Sequence, residues 1–170
     1  SPALLRDLHE LPLDEIIDVL VELGTALDLD TNPHLQAAYE AGLSAAPYPA
    51  NMLRNSYVGL PFVFERPRLE AMVEQSVGRA HLEGWVPTVL DDGRTAAVRA
   101  FGARALHIPA GNGGVVSAMT IIRNFLCRSD AIVKAPSNDP RTAVAIARTL
   151  ADVAPGHPLT RHLAVGYWKG

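Results

Sequence analysis

Alternating strand and helix patterns in the second half of the sequence constrain the fold most. In chain order the segments are ARALHI (103–108), a helix from about Gly113 to Arg128, AIVKA (131–135), a helix from Asp139 to about Val153, and HLAVGYW (162–168). Strands separated by helices pair in parallel, because the chain must cross over before it can return in the same direction. The sequence therefore predicts a β-α-β-α-β unit with a parallel sheet.

The first part of the chain carries helix patterns. The segment LDEIIDVLVELGTAL (13–27) has one apolar stripe and acidic residues near its start, as in an amphipathic helix. A second helix is expected to begin at Pro33, with Thr31 or Asn32 as its cap. Gly42 is the expected end of this helix, because glycine readily adopts the left-handed conformation that closes helices.

The middle of the chain changes character twice. Residues 47–67 are rich in Pro, Gly, Asn and aromatic residues, which predicts an irregular connection with one short helix. Residues 66–84 have apolar positions at near-helical spacing and end at a glycine, which predicts a helix. The sequence Asp91-Asp92-Gly93 then separates two β-prone runs. An Asp-Gly pair in this setting is a strong hairpin signal, since both residues tolerate positive φ.

These patterns define an α/β protein with three parts. We expect a mainly helical segment over residues 1–84, a β-hairpin over 85–101, and the first part of a parallel α/β domain over 102–170. Hydrophobic residues make up 48% of the 170 residues and charged residues 19%, so the chain can build a sizeable core. The opening Ser1 and the closing GYWKG lead us to expect either a processed chain or a piece of a longer chain.

Composition excludes several classes of partner. The formal net charge is -3, and the basic residues are scattered, which argues against a nucleic-acid-binding surface. No apolar run approaches the roughly 20 residues that span a bilayer, and the start SPALLRDLHE has no signal-peptide pattern. Cys127 is the only cysteine, in keeping with a reducing compartment. We therefore expect a cytoplasmic protein without a membrane span, and the histidines predict no metal site.

Two segments at the ends of the predicted strands are the candidates for chemistry. Ligands of open α/β sheets bind beyond the carboxyl ends of the strands, where IPAGNGG (108–114) and KAPSNDP (134–140) both lie. The sequence lacks the G-x-G-x-x-G motif that binds a pyrophosphate, because Val116 occupies the position of its third glycine. The glycines either serve a ligand or only permit a tight turn. On spacing alone, Asn112 is better interpreted as a turn former than as an oxyanion donor.

Lys134 and Ser137 are open to two interpretations each. Lys134 ends the second parallel strand, where it is either solvated, the commoner case for lysine, or directed at an anionic or hydroxyl-rich ligand. Ser137 and Asn138 are expected to cap the following helix unless a ligand recruits them. Cys127 lies near the end of an apolar helix, where the helix dipole and apolar surroundings disfavour the reactive thiolate. We predict a packed cysteine there and no nucleophile.

The C-terminal part of the sequence, from HIPAGNGG through IVKAPSN to YWKG, resembles the acyl-CoA reductase family, which belongs to the aldehyde dehydrogenase superfamily. One member of the family supplies fatty aldehyde in bacterial bioluminescence. The resemblance is strongest from Arg104 onward and extends back to about Tyr57. It implies a Rossmann-like NAD(P)-binding domain, of which residues 102–170 would form the first part, that holds its cofactor without a phosphate-gripping glycine loop.

The resemblance also implies roles for individual residues. Lys134 matches the lysine that binds the adenosine ribose, or the 2′-phosphate in NADPH users, and Ser137 matches a position that helps choose between NAD and NADP. Asn112 matches the asparagine of the oxyanion hole. Ile108 and Pro109 match the strand end that lines the nicotinamide side.

The function implied is that of the N-terminal, cofactor-binding portion of an NADPH- or NADH-dependent reductase that converts an acyl thioester such as acyl-CoA to an aldehyde. The family's catalytic cysteine lies downstream of the matched region, so this chain alone is expected to be inactive. The alternative is a non-catalytic nucleotide-binding or assembly module. Because a partial parallel sheet leaves an unpaired edge and an apolar face, we also expect a homo-oligomer.

Overall fold

The computed structural model describes residues 5–45, 49–111 and 113–168. The protein is mixed α/β, with most of its helices before the sheets. The helices are α1 (Arg6–His9), α2 (Leu13–Ala26), α3 (Pro33–Ala45), α4 (Ala50–Val58), a 3₁₀ helix (Leu60–Phe64), α5 (Arg66–Ser76), α6 (Arg79–Glu83), α7 (Gly114–Leu126), α8 (Thr142–Val153) and α9 (Pro158–Arg161). The strands are β1 (Val86–Val89), β2 (Thr95–Val98), β3 (Arg104–His107), β4 (Asp130–Lys134) and β5 (Leu163–Gly166).

The C-terminal half forms the predicted parallel sheet. Its three strands lie in the order β3-β4-β5, with α7 between β3 and β4, and α8 and α9 between β4 and β5. Leu106 lies beside Ile132, and Ile132 beside Ala164, in a register without a bulge. The prediction of a parallel sheet from the strand and helix alternation is confirmed.

The hairpin prediction is also confirmed. Strands β1 and β2 pair antiparallel, from Val86 opposite Val98 to Val89 opposite Thr95. The turn contains Gly93 at a φ of 82°, the left-handed conformation that the Asp-Gly pair predicted. The hairpin forms a sheet of its own, separate from the parallel strands.

Several helix boundaries differ from the sequence predictions. The expected single helix over residues 66–84 is two helices, α5 and α6, because the chain turns at Gly78 with a φ of 83°. The helix expected to end at Gly42 continues to Ala45, and Gly42 instead lies against the side chain of Leu53. The segment expected to be mainly irregular contains α4 and the 3₁₀ helix. Tyr57 and Phe64 are buried there, whereas Phe62 is 53% exposed.

One hydrophobic core joins the N-terminal helices to the parallel sheet. Helix α2 packs against α5, α7 and α8, and its stripe, including Ile16, Ile17 and Leu20, is completely buried. Asn32 connects α3 to α8: its Oδ1 accepts the backbone N–H of Leu35 at 2.8 Å, and its Nδ2 donates to Oγ1 of Thr149 at 2.9 Å. The predicted capping role of Asn32 is confirmed, and the same side chain ties distant parts of the chain together.

In the described part of the chain, helices cover one face of the parallel sheet and leave the other face open. Ala131 and Val133 are buried on the face that packs against the helices. On the opposite face, Leu106 is 57% exposed and Ile132 is 50% exposed. Ile108 extends this open apolar face beyond the end of β3. The homo-oligomer expected from such a face stays a prediction. The division of the chain into three parts, with boundaries after residues 84 and 101, also stays a prediction. Among the described residues, no helix combines the length and apolar character needed to cross a bilayer.

Arg128 is a buried cation at the end of α7. Its backbone adopts a φ of 54°, and the amides of Arg128 and Ser129 donate to the carbonyls of Phe125 and Asn124 at 2.8 and 3.0 Å. This is a Schellman closure with arginine at the position that glycine usually occupies. The guanidinium donates to the carbonyls of Leu11 and Leu82 at 2.8 and 2.7 Å and pairs with Glu83. Arg128 therefore connects α7 to the N-terminal helices.

Candidate functional site

The carboxyl ends of the three parallel strands meet at one edge of the sheet. Val133 lies between His107 and Val165, and Lys134 pairs with Gly166. Continuing the register by one residue places Ile108, directly after β3, beside Lys134. The two segments singled out from the sequence therefore do leave the sheet side by side, as expected for strands of a parallel sheet.

A hydrogen bond ties the two loops of this edge together. The side-chain amide of Asn138, after β4, donates to the carbonyl of Gly111, after β3, at 2.6 Å. A Cβ at position 111 would lie 1.5 Å from Oδ1 of Asn138, so this contact requires glycine. Gly113 has a φ of 122°, which L side chains rarely adopt. The structure therefore explains why glycine occupies positions 111 and 113 without reference to a ligand.

Lys134 lies partly buried on the same side of the sheet as Ile132, two residues before it on β4. Its Nζ is 5.8 Å from the centre of the Trp168 ring, and within the three described ranges it has no ion pair with a carboxylate. A lysine with an aromatic neighbour and no carboxylate partner retains its capacity to bind an anion or a hydroxyl group.

The other predicted site residues have distinct surroundings. Ser137 is exposed in the turn after β4, and Ile108 is 67% exposed at the end of β3. Pro109 is partly buried beside it. Asn112 lies outside the described residues. The structure thus brings Ile108 and Lys134 to one edge, and the roles of all five residues stay predictions.

Behind the loop after β4 lies a buried polar cluster that sequence reasoning missed. The Oγ1 of Thr142, a completely buried residue, lies 2.5 Å from Oδ1 of Asp139 and 2.6 Å from the hydroxyl of Tyr57. The backbone N–H of Thr142 also donates to Asp139 at 3.2 Å. Helix α8 begins at Thr142, so the prediction that it begins at Asp139 was wrong. These two bonds hold the carboxylate of Asp139 against the start of α8.

Cys127 lies at the C-terminal end of α7, partly buried, as the sequence predicted. Burial raises the pKa of the Cys127 thiol, and the carbonyl end of the helix also disfavours the thiolate. The structure therefore gives Cys127 the surroundings of a packing residue.

We expect alkylation of Cys127 by iodoacetamide at neutral pH to be slower in the folded protein than in urea, because only the thiolate reacts and burial reduces its population. The raised pKa also predicts that the folded rate continues to rise with pH after the unfolded rate has levelled off. Mass spectrometry at timed intervals measures both. Equal rates in the two states would contradict the assignment.

Comparison with known proteins agrees with the resemblance found in the sequence. The family model described as Acyl-CoA reductase (LuxC) matches residues 8–170. The match therefore begins well before Tyr57, to which the resemblance in the sequence could be followed, and it includes the helices α2 and α3.

Three similar proteins carry the name long-chain acyl-protein thioester reductase. The protein of Photorhabdus laumondii is 37% identical over 99 residues, covering 57% of this chain and 20% of its own length. The Vibrio harveyi protein is 27% identical over 165 residues, covering 95% and 33%, and the Photobacterium phosphoreum protein is 32% identical over 99 residues, covering 58% and 20%. The chain thus spans a third or less of the length of these relatives. Since the family model matches nearly all of it, the chain belongs to the acyl-CoA reductase family.

Proposed function

We propose that this chain is the dinucleotide-binding portion of a reductase that acts on acyl thioesters, and that β3, β4, β5 and their crossovers are the first part of a Rossmann-like cofactor domain. The observation that carries the proposal is the edge where Ile108, Lys134 and Gly166 lie side by side, in a chain that belongs to the acyl-CoA reductase family. Acyl-CoA or another acyl thioester is the proposed substrate, in line with the names of the relatives.

The residues at this edge suit an anionic, hydroxyl-rich ligand such as NADPH or NADH. Lys134 has no carboxylate partner among the described residues, and Asp139 is held by Thr142. Ser137 presents an exposed hydroxyl in the turn between them. The Gly111 carbonyl and the Asn138 amide satisfy each other, so these two residues are held together before a ligand arrives. Such preorganisation lowers the entropy lost on binding.

Each predicted residue has a role in this proposal. Lys134 donates hydrogen bonds to the adenosine ribose or to a 2′-phosphate, and Ser137 contacts the same region. Ile108 and Pro109 provide an apolar surface on the nicotinamide side. Asn112 donates its amide to the carbonyl oxygen of the acyl group as negative charge develops there. NADPH or NADH, when bound, supplies the hydride that reduces the acyl group.

The cysteine that would carry the acyl group is not Cys127 in this proposal. A covalent intermediate requires a thiolate, and burial raises the pKa of Cys127. Cys127 also lies after α7, next to the amino end of β4, whereas the proposed cofactor edge is at the carboxyl ends of the strands. Binding of the dinucleotide is therefore the activity that this chain can be tested for.

Isothermal calorimetry with NADPH and with NADH tests the proposal. We expect saturable binding of at least one of them, weakened about 10-fold or more by Lys134→Ala, because a charged hydrogen bond contributes about 1.5–3 kcal/mol. Arg104→Ala is the matched control: it removes a positive charge from an exposed side chain at the opposite end of β3, and the affinity should not change.

Two outcomes would contradict the proposal. If neither dinucleotide binds, the β-α-β-α-β unit has no cofactor role, and an assembly module becomes the better interpretation. If Lys134→Ala and Arg104→Ala weaken binding equally, the effect reflects overall charge and no specific contact at the edge.

A further inference from the structure

Trp168 forms the end of the proposed cofactor edge, and neither the sequence motifs nor the comparisons assign it a role. It follows β5 by two residues, and its ring folds back over Gly166: a Cβ on that glycine would lie 3.5 Å from Cζ3 of the indole. Gly166 is in register with Lys134 on the neighbouring strand. The ring therefore lies across the ends of β4 and β5.

The ring remains accessible although it is held in place. Trp168 is 43% exposed, while Gly166 lies beneath it and the ammonium of Lys134 is 5.8 Å from its centre. An accessible indole beside a cation without a carboxylate partner offers two complementary contacts. Aromatic rings stack on the flat faces of nucleobases, and the ammonium binds the ribose hydroxyls or a phosphate attached to the same nucleoside.

We propose that Trp168 stacks on the adenine of the bound dinucleotide while Lys134 binds the adjoining ribose, so that the two residues form one adenosine subsite. This inference rests on the proposed function. Lys134 fixes which end of the dinucleotide lies here, and the indole supplies the flat apolar surface that Ile108, at the end of β3, cannot supply.

The two tryptophans of the chain permit a matched experiment. Trp85→Phe leaves Trp168 as the only indole, and Trp168→Phe leaves Trp85, which is 62% exposed at the start of the hairpin and packs edge-on against Phe101. Each variant is titrated with AMP and with nicotinamide mononucleotide while tryptophan fluorescence is recorded. Calorimetry with NADPH and NADH on the same samples measures binding independently of fluorescence.

We expect AMP to change the fluorescence of the Trp85→Phe variant saturably and to leave the Trp168→Phe variant unaffected, and nicotinamide mononucleotide to affect neither. Trp168→Ala should weaken dinucleotide binding about 10-fold. Trp168→Phe should weaken it less, since phenylalanine retains an aromatic face. A merely structural role for Trp168 would not produce this response to AMP.

The outcomes separate this inference from the proposal on which it depends. If calorimetry detects dinucleotide binding, but AMP leaves Trp168 fluorescence unchanged and Trp168→Ala binds normally, the subsite assignment is overturned and the cofactor-binding proposal stands. An equal response to nicotinamide mononucleotide would also overturn the assignment of adenine. If calorimetry detects no binding in the unsubstituted chain, both proposals fail.

Discussion

Replacing Arg128 with alanine is expected to lower the free energy of unfolding by about 2–4 kcal/mol, since each buried acceptor left without its donor costs about 1–3 kcal/mol. The guanidinium is 6% exposed, and it satisfies Glu83 and the carbonyls of Leu11 and Leu82. Alanine would leave the two carbonyls and a partly buried carboxylate without that donor. Urea denaturation followed by circular dichroism measures the loss.

Two further variants separate the side chain from the backbone at this position. Arg128 adopts a φ of 54°, which favours glycine over alanine by about 1 kcal/mol. Arg128→Gly should therefore be more stable than Arg128→Ala, although both lose the buried pair. Arg123→Ala, on the exposed side of α7, should change stability by less than about 0.5 kcal/mol. A loss below about 1 kcal/mol in both Arg128 variants would show that the buried contacts contribute little.

Gly102→Ala is expected to destabilise the protein by about 2–3 kcal/mol, since overpacking against atoms that cannot move is costly. A Cβ on Gly102 would lie 2.3 Å from the carbonyl oxygens of both Cys127 and Arg128. These are backbone atoms in the turn that ends α7, so relief requires the turn or the start of β3 to shift. The Gly102 carbonyl also lies 3.1 Å from Nε2 of His9, and this hydrogen bond would be disturbed.

Gly84→Ala is the matched control for this substitution. Gly84 has an extended backbone, and the nearest heavy atom to a Cβ there is 3.9 Å away. The free energy of unfolding of the Gly84→Ala variant should remain within about 0.5 kcal/mol of that of the unsubstituted chain. Thermal unfolding of the two variants, recorded under the same conditions, measures the difference. Similar melting temperatures for Gly102→Ala and Gly84→Ala would mean that the turn after α7 can shift without loss of stability.

The parts of the fold that could be predicted are those set by local chemistry. The apolar stripe of α2, the Asp-Gly turn of the hairpin and the alternation of strands with α7 and α8 act over short distances, and each appears in the structure. The error at the end of α3 has a tertiary cause. Gly42 does not end α3, because its contact with Leu53 lets the helix continue as a close neighbour of α4.

Some features of the candidate site could also be predicted from the sequence, and others could not. Ile108 and Lys134 end strands that the sequence predicted to be parallel, so their place at the carboxyl ends of the sheet could be predicted. The hydrogen bond from Asn138 to Gly111 and the ring of Trp168 over Gly166 depend on how loops fold in space, and no spacing in the sequence encodes them. The buried position of Arg128 was equally hidden, because CRSD at a helix end is typical of an exposed turn.

The contact between α2 and α8 has a consequence for how the chain is made in the cell. Asn32 reaches its partner Thr149 across 117 positions of sequence, and the apolar stripe of α2 is buried partly against α8. At roughly 5–20 residues per second of synthesis, α2 must wait on the order of 5–25 s for α8 to leave the ribosome. During this interval the part of the stripe that packs against α8 is unprotected, so the nascent chain is expected to need a chaperone more than the finished fold does.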